Sequence, residues 1–299
     1  MDKKREKENM TKEVEDYQDK EKDSPEDNIK SIKNSSKNSI DDTITERMMN
    51  SSGNNEKNKS YILNNIFDLQ TLLTQRQDRL WSVLHERYKY NTSIKRGQEF
   101  LLNHVDSKTS LIVMYVDLVG STKMSMDLPV EKMAKIIKAY SHELSSVVES
   151  YDGFVLKYVG DAVIAFFPAG FNKYLACDKS FRCAKSMIDV IENVINPIFK
   201  KDDYPKLEVK IGIDEGENAV IQYGFDKSAP IDLIGYPMNV TAKITSLTKP
   251  NKISVGNNLY KLLHPSIQTK FHMISLKETD WKYIDHKDNS IYKVYTTQT

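Results

Sequence analysis

The segment Leu111-Ile-Val-Met-Tyr-Val-Asp-Leu-Val-Gly-Ser-Thr122 joins six consecutive apolar residues to an aspartate and a turn of small residues. A continuous apolar run of this length predicts a buried strand. Asp117 stands at the end of that strand, where a carboxylate is poorly solvated unless a partner compensates it. The Gly-Ser-Thr turn that follows offers free backbone N–H groups. Asp117 is therefore the first candidate functional residue.

A second carboxylate, Asp161, occupies a tight Gly-Asp turn between two short predicted strands, residues 154–158 and 162–167. If the first strand lies beside this hairpin, both carboxylates meet at one end of the sheet. Hard oxygen ligands hold divalent metal ions, and free turn amides cradle phosphate. The pair thus meets the requirements of a Mg²⁺-triphosphate site. The alternative is that each aspartate merely caps a turn.

Outward from these two residues, the segment 107–299 alternates helices and strands. Further helices are predicted over residues 98–104, 131–150, 174–195, 238–247 and 258–263, and further strands over 207–214, 219–222 and 252–255 with two more at the C-terminus. The βαββαβ order with an antiparallel hairpin inside indicates an α+β, ferredoxin-like core and not a doubly wound sheet.

The N-terminal part of the chain has a different composition. Residues 1–60 contain no Leu, Phe or Trp, and their 13 basic and 15 acidic residues are interleaved with Ser and Asn. Such a segment buries too little apolar surface to offset the entropy of ordering, so it is predicted to be a disordered leader, or alternatively a recruitment segment that folds on a partner. Residues 61–106 form a helical connector with one apolar stripe. This stripe fits either a short coiled coil or a helix packed on its own domain.

Composition excludes several functional classes. The chain has 43 Lys+Arg and 42 Asp+Glu, so it shows no electrostatic footprint of a nucleic-acid binder. No apolar run is long enough for a membrane span, and no signal peptide is recognisable. The two cysteines, Cys177 and Cys183, are interpreted as buried thiols of a reducing compartment, and a cytoplasmic protein is expected. The six histidines contain no i, i+4 pair, which makes a zinc site an unfavoured interpretation.

Four segments together resemble the class III adenylate/guanylate cyclase catalytic domain in order and spacing. They are Val116-Asp-Leu-Val-Gly-Ser-Thr122, Lys157-Tyr-Val-Gly-Asp-Ala-Val-Ile-Ala-Phe-Phe167, Ile211-Gly-Ile-Asp-Glu-Gly216 and Asp232-Leu-Ile-Gly-Tyr-Pro-Met-Asn-Val-Thr-Ala-Lys243. The resemblance covers residues 107–299 and implies the class III nucleotide cyclase fold for this domain. The Gly-Gly-Asp/Glu-Glu-Phe signature of diguanylate cyclases is absent from the sequence.

The resemblance assigns a metal and phosphate site. Asp117, Asp161 and the carbonyl of Leu118 would be ligands of two Mg²⁺ or Mn²⁺ ions. Gly120, Ser121 and Thr122 would bind the substrate triphosphate. The implied reaction is attack of the ribose 3′ oxygen on the α-phosphorus with loss of pyrophosphate.

The resemblance also implies ATP as substrate, because Lys157 and Asp232 match the adenine-selecting pair of the family. A lysine donates to adenine N1, while a carboxylate accepts from the exocyclic N6 amine. Guanine presents a protonated N1 and a carbonyl at these positions, so both contacts are mismatched, and mismatched polar groups in a dry pocket discriminate strongly.

Asn239 matches the residue that orients the ribose, and Lys243 stands one helical turn later where the family usually has an arginine that stabilises the transition state. Lysine keeps the charge but lacks the bidentate fork, so either turnover is slow or the lysine reaches the α-phosphate well enough for adequate turnover. The family forms head-to-tail dimers with the active sites at the interface, so a symmetric homodimer that uses ATP as substrate in intracellular signalling is implied. Lys277 and Lys282 are candidates for a triphosphate-binding lysine. The alternative is a weak or inactive cyclase-homology module that binds nucleotide as a sensor or interaction domain.

Overall fold

The computed structural model of the protein describes residue 80 and residues 93–224, 226, 229–276, 279–285 and 288–298. The predicted disordered leader lies outside these residues, and so does the helical connector before residue 93 apart from Leu80. Leu80, which belongs to the apolar stripe of the connector, is fully buried in the largest hydrophobic cluster.

The described part of the chain alternates helices and strands, as the sequence predicts. The helices are α1 (Ser93–Leu102), α2 (Ser121–Asp127), α3 (Val130–Ser150), α4 (Lys173–Val190), which continues through a π-helical turn (Ile191–Ile195) into α5 (Asn196–Lys201), and then α6 (Tyr236–Leu247), α7 (Asn257–Leu262) and α8 (Pro265–Gln268). The strands are β1 (Lys108–Leu118), β2 (Phe154–Val159), β3 (Ala162–Pro168), β4 (Val209–Gln222), β5 (Ile231–Ile234), β6 (Lys252–Gly256), β7 (Phe271–Met273) and β8 (Val294–Thr297).

All eight strands belong to one sheet. Seven of them follow the order β2-β3-β1-β4-β6-β8-β7, and β5 pairs only with β4. The first four strands in this order, β2, β3, β1 and β4, are arranged as the four strands of a ferredoxin-like core. This arrangement confirms the predicted fold class. Strand β1 lies beside β3 and pairs with it in antiparallel fashion. The predicted meeting of the two carboxylates requires this arrangement.

Hydrophobic clusters cover both faces of the sheet, and successive side chains of β1 belong alternately to one cluster and the other. Ile112, Met114 and Val116 pack in a large cluster with residues of α3 and α4, whereas Leu111 and Val113 pack in a second cluster on the opposite face. A third, smaller cluster joins α6 to the C-terminal strands. Within the described residues, no helix combines the length and apolar character that crossing a bilayer requires.

Strand β4 differs from its prediction, because it is one strand of 14 residues and not two short ones. Polar residues at its centre hid the continuity. Glu215 is buried there, yet its carboxylate accepts a hydrogen bond from Ser110 at 2.6 Å and pairs with Lys173 at 2.6 Å. Buried polar groups with such partners do not interrupt a strand. The short strand β5 and the short helix α2 were not predicted.

The two cysteines are buried free thiols, as predicted. Burial, followed by the charge of Glu215, raises the pKa of Cys177 to about 12. A thiol with so high a pKa is not a nucleophile at neutral pH.

Candidate active site

Asp117 and Asp161 are brought together at one end of the sheet. Asp117 is the last residue but one of β1, and Asp161 lies in the turn between β2 and β3. Burial raises the pKa of Asp117, the nearby charge of Asp161 raises it further, and Lys210 lowers it. Two neighbouring carboxylates repel each other, and a bound cation would relieve that repulsion.

The Asp161 carboxylate fits a metal ligand. Its Oδ2 atom is buried and has no hydrogen-bond partner among the described residues. A buried carboxylate oxygen without a partner is costly, and a divalent cation coordinated by hard oxygen ligands removes that cost. No group of three or more His, Cys, Asp or Glu side chains suited to a metal ion occurs among the described residues. The Leu118 side chain is buried in the core, so only its carbonyl is left for the predicted role.

The turn after Asp117 has the backbone form expected of a phosphate-binding loop. Gly120 has φ +72°, a left-handed conformation that favours glycine, and the space where a Cβ would stand is open. Ser121 and Thr122 start α2, where the first N–H groups of a helix have no intrahelical acceptor. The structure therefore places all three predicted phosphate-binding residues beside Asp117.

Lys157 and Asp232 form an ion pair between β2 and β5, with Lys157 Nζ bonded to Asp232 Oδ2. Val220 and Leu233 of the β4–β5 hairpin pack in the same hydrophobic cluster as Leu111 of β1. This packing brings Asp232 toward Lys157. The Asp232 side chain is only 15% exposed and that of Lys157 is 38% exposed. The pair thus sits in a partly dry position that still opens to solvent.

Asn239 and Lys243 lie on α6, which packs against β4 and β1. Both are exposed, and their side chains make no hydrogen bond or ion pair to any other described residue. One helical turn separates them, so they share a face of the helix. Of the two other lysine candidates, Lys282 is exposed beside the buried Trp281, and Lys277 lies outside the described residues.

Two tyrosines near these groups were not predicted as site residues. Tyr140 on α3 is fully buried, and its hydroxyl has no hydrogen-bond partner within the described part of the chain. Burial together with the charges of Asp161 and Asp117 raises its pKa. Burial and the charge of Asp232 likewise raise the pKa of the half-buried Tyr115 on β1. Tyr140 lies in the helix predicted over residues 131–150, and helical spacing does not reveal the position of a side-chain hydroxyl.

Asp214, from the third segment of the resemblance, holds the fold together instead of facing a ligand. Its carboxylate accepts hydrogen bonds from the Tyr292 hydroxyl at 2.7 Å and from the backbone N–H groups of Glu215 and Leu259. Burial raises its pKa to about 7, although these hydrogen bonds act in the opposite direction. Asp214 thereby ties β4 to the C-terminal part of the domain.

The fold and this arrangement agree with the comparison to known families. The family model of the adenylate and guanylate cyclase catalytic domain matches residues 104–294. Because this match spans more than half of the chain, the protein belongs to that family and contains a class III cyclase catalytic domain.

Relatives within the family carry different substrate names. A cytidylate cyclase of Staphylococcus aureus is 23% identical over 231 residues, which is 76% of this chain and 54% of that protein. A uridylate cyclase of Burkholderia cepacia is 26% identical over 166 residues, 54% of this chain and 72% of that protein. The chain thus spans about half of the Staphylococcus aureus relative.

Among solved structures, the adenylyl cyclase CyaB from P. aeruginosa superposes with a TM-score of 0.54 at 21% identity, covering 64% of this chain and 95% of that one. At this identity the likeness establishes the fold and not the substrate.

Proposed function

We propose that this protein is an adenylate cyclase that converts ATP to 3′,5′-cyclic AMP and pyrophosphate, and that the product serves intracellular signalling. The ion pair between Lys157 and Asp232 carries this proposal. It sets an ammonium donor and a carboxylate acceptor side by side on the face that α6 also flanks. Adenine N1 accepts from the first group, and its N6 amine donates to the second.

Asp117 and Asp161 would hold two Mg²⁺ or Mn²⁺ ions, to which the unpartnered Oδ2 atom of Asp161 is suited. Bound ions of this kind neutralise the triphosphate and lower the pKa of a coordinated hydroxyl. The first-turn N–H groups behind Gly120 receive phosphate oxygens. Asn239 orients the ribose, so that its 3′ oxygen attacks the α-phosphorus in line and pyrophosphate leaves. Lys243 balances the charge that develops on the α-phosphate.

A homodimer completes the site in this proposal. Asn239 and Lys243 point into solvent from α6 and bind no described residue of their own chain. Family resemblance implies a head-to-tail pair in which the carboxylates of one protomer face the base, ribose and transition-state residues of its partner. Each required residue occurs once in the chain, so two equivalent sites are expected.

Cytidylate cyclase is the second candidate, because cytosine presents the same polar edge as adenine. Its N3 accepts and its N4 amine donates, as adenine N1 and N6 do. Guanine and uracil instead present a protonated ring nitrogen beside a carbonyl. The Lys157–Asp232 pair therefore discriminates against guanine and uracil by hydrogen bonding, but separates adenine from cytosine only by ring size. The cytidylate cyclase name of the Staphylococcus aureus relative makes this candidate worth testing.

The test is a product assay on the full-length chain with Mn²⁺ or Mg²⁺ and each of the four nucleoside triphosphates. Mass spectrometry identifies the cyclic product, and pyrophosphate is measured separately. Cyclic AMP as the dominant product supports the proposal, and cyclic CMP supports the second candidate. Asp161→Ala should lose turnover, whereas Asp189→Ala, which removes an exposed carboxylate from α4, should keep it. Nucleotide binding without any cyclic product would favour the non-catalytic sensor module.

A further inference from the structure

The side chain of Gln98 on α1 pairs with the backbone of β5. Its amide Nε2 donates to the carbonyl of Ile231 at 2.9 Å, and its Oε1 accepts from the N–H of the same residue at 2.9 Å. Strand β5 is only four residues long and pairs with β4 along one edge. Gln98 thus supplies, from a helix, two of the hydrogen bonds that a neighbouring strand would give to the other edge.

The same helix is fixed to β2. A Cβ atom on Gly97 would lie 2.3 Å from the carbonyl oxygen of Val155, so the backbones touch and only glycine fits. The ring of Phe100 packs against Phe154 with centroids 4.8 Å apart, and the Arg96 guanidinium lies 4.7 Å from the centre of the Phe154 ring. Helix α1 therefore bridges β2 and β5.

These two attachment points adjoin the Lys157–Asp232 pair. Ile231 directly precedes Asp232, and Val155 lies two residues before Lys157, where the register between β2 and β3 shifts by one residue. Strands β2 and β5 are not paired with each other in the sheet, and α1 contacts both of them.

We infer that Gln98 is a positioning residue that holds Asp232 at the correct distance from Lys157 for reading the substrate base. Because the side chain of Asp232 follows the backbone of Ile231, releasing that backbone lets the carboxylate move relative to the lysine. A base-reading contact depends on placement within a fraction of an ångström. This inference rests on the proposed function and adds a residue that positions the base-reading pair.

The test compares Gln98→Met, which keeps the length of the side chain but removes both hydrogen bonds, with Glu99→Met as a matched control. Glu99 neighbours Gln98 on the helix but is exposed and pairs only with Lys95 at the surface. KM, kcat and the kcat/KM ratio of ATP to GTP are measured at a temperature where circular dichroism shows each variant folded. Gln98→Met should raise the KM for ATP about tenfold or more and lower the ATP:GTP ratio by a similar factor, as expected for a misplaced binding group. Glu99→Met should leave both unchanged.

A merely structural role predicts a different result. It would lower the melting temperature of Gln98→Met while KM and the nucleotide ratio stayed at their wild-type values, and that result would overturn the inference. If Gln98→Met does not fold, Gln98→Glu retains the acceptor for the Ile231 N–H and must shift the same ratio in the same direction. A folded Glu variant with wild-type KM and ratio overturns the inference equally.

Failure of the proposed function is distinguishable from failure of this inference. If the wild-type protein makes no cyclic product from any nucleoside triphosphate, the catalytic proposal is wrong. The role of Gln98 is then read from equilibrium binding of a fluorescent ATP analogue, with GTP as competitor. Gln98→Met should bind the analogue about tenfold more weakly than wild type and discriminate less against GTP. Equal binding and equal discrimination would again overturn the inference.

Discussion

Lys210 on β4 lies directly opposite Asp117 on β1 in the antiparallel register of the two strands. Its charge lowers the pKa of the Asp117 carboxyl, while burial and the charge of Asp161 raise it. Among the described residues, Lys210 is the cation that lowers the pKa of Asp117. It keeps this carboxylate ionised at lower pH than burial and the charge of Asp161 alone would allow.

Lys210→Met should raise the pKa of Asp117 further, since the only lowering charge is removed. A raised pKa means that the carboxylate takes up its proton at higher pH, so metal binding is lost at higher pH as the solution is acidified. Calorimetric titration with Mn²⁺ between pH 5 and pH 8, in steps of about half a unit, checks this shift. Lys206→Met, which removes an exposed lysine paired with Glu208, is the control. Identical pH profiles for both variants would contradict the assigned role.

Lys243→Arg should raise kcat. Lysine offers one point charge, whereas arginine offers a planar fork that binds two phosphate oxygens at once. We expect a gain of up to about tenfold, less than the effect of about 10²–10³ for a whole preorganised donor. Single-turnover measurements separate this chemical step from product release. Lys249→Arg, another exposed lysine close to the end of α6, should leave kcat unchanged. A loss of activity in Lys243→Arg would mean that the surrounding geometry suits only lysine.

Lys157→Glu combined with Asp232→Cys should shift preference from ATP to GTP. The glutamate accepts from the protonated N1 and the exocyclic amine of guanine, and the neutral cysteine no longer repels its carbonyl. ATP and CTP should decline together in this variant, because both bases present the same edge. Competition assays with all four triphosphates measure the change. Lys108→Glu, at an exposed ion pair with Glu217, is the control. Unchanged ATP preference would remove the pair as base readers.

Asp214→Asn should change how stability depends on pH. The folded-state pKa of Asp214, about 7, exceeds its ordinary value of 3.8. The folded state therefore holds the proton more tightly than the unfolded state, so this group favours folding most at low pH and loses that contribution as pH rises from about 4 through about 7. Relative to Asp214→Asn, the wild-type free energy of unfolding should fall by an amount on the order of 4 kcal/mol across that window. Urea denaturation of both proteins from pH 4 to pH 8 tests this, and parallel curves would contradict it.

The carboxylate pair was the part of the site most open to prediction from the sequence. A continuous apolar run ending in Asp117 and a Gly-Asp turn holding Asp161 are local patterns, and the ferredoxin-like order places the two strands side by side. Recognition of Lys157 with Asp232 depended on the family resemblance, because β5 is too short for its own periodicity to be visible. The two partners are 75 positions apart in the sequence, and the β4–β5 hairpin brings Asp232 toward β2.

Contacts that depend on tertiary packing were not predictable. Gln98 meets Ile231 across 133 residues of sequence, and nothing in the local pattern distinguishes it from an exposed helical glutamine. The hydroxyl of Tyr140 approaches the two carboxylates from the core side of α3, where spacing predicts only burial. The polar centre of β4 looked like a break because its partners, Ser110 and Lys173, come from distant segments.

Lys157 and Asp232 are bonded to each other, so each group would compete with a nucleotide base for its partner. If this pair reads the base as proposed, base binding is an exchange reaction, in which the lysine and the aspartate release each other and each takes a new partner. An adenine-type edge replaces both lost contacts, while a guanine-type edge replaces neither. In the proposed site, selectivity therefore comes mainly from the two contacts that a guanine-type base fails to replace. The strength of the contacts to the correct base contributes only secondarily.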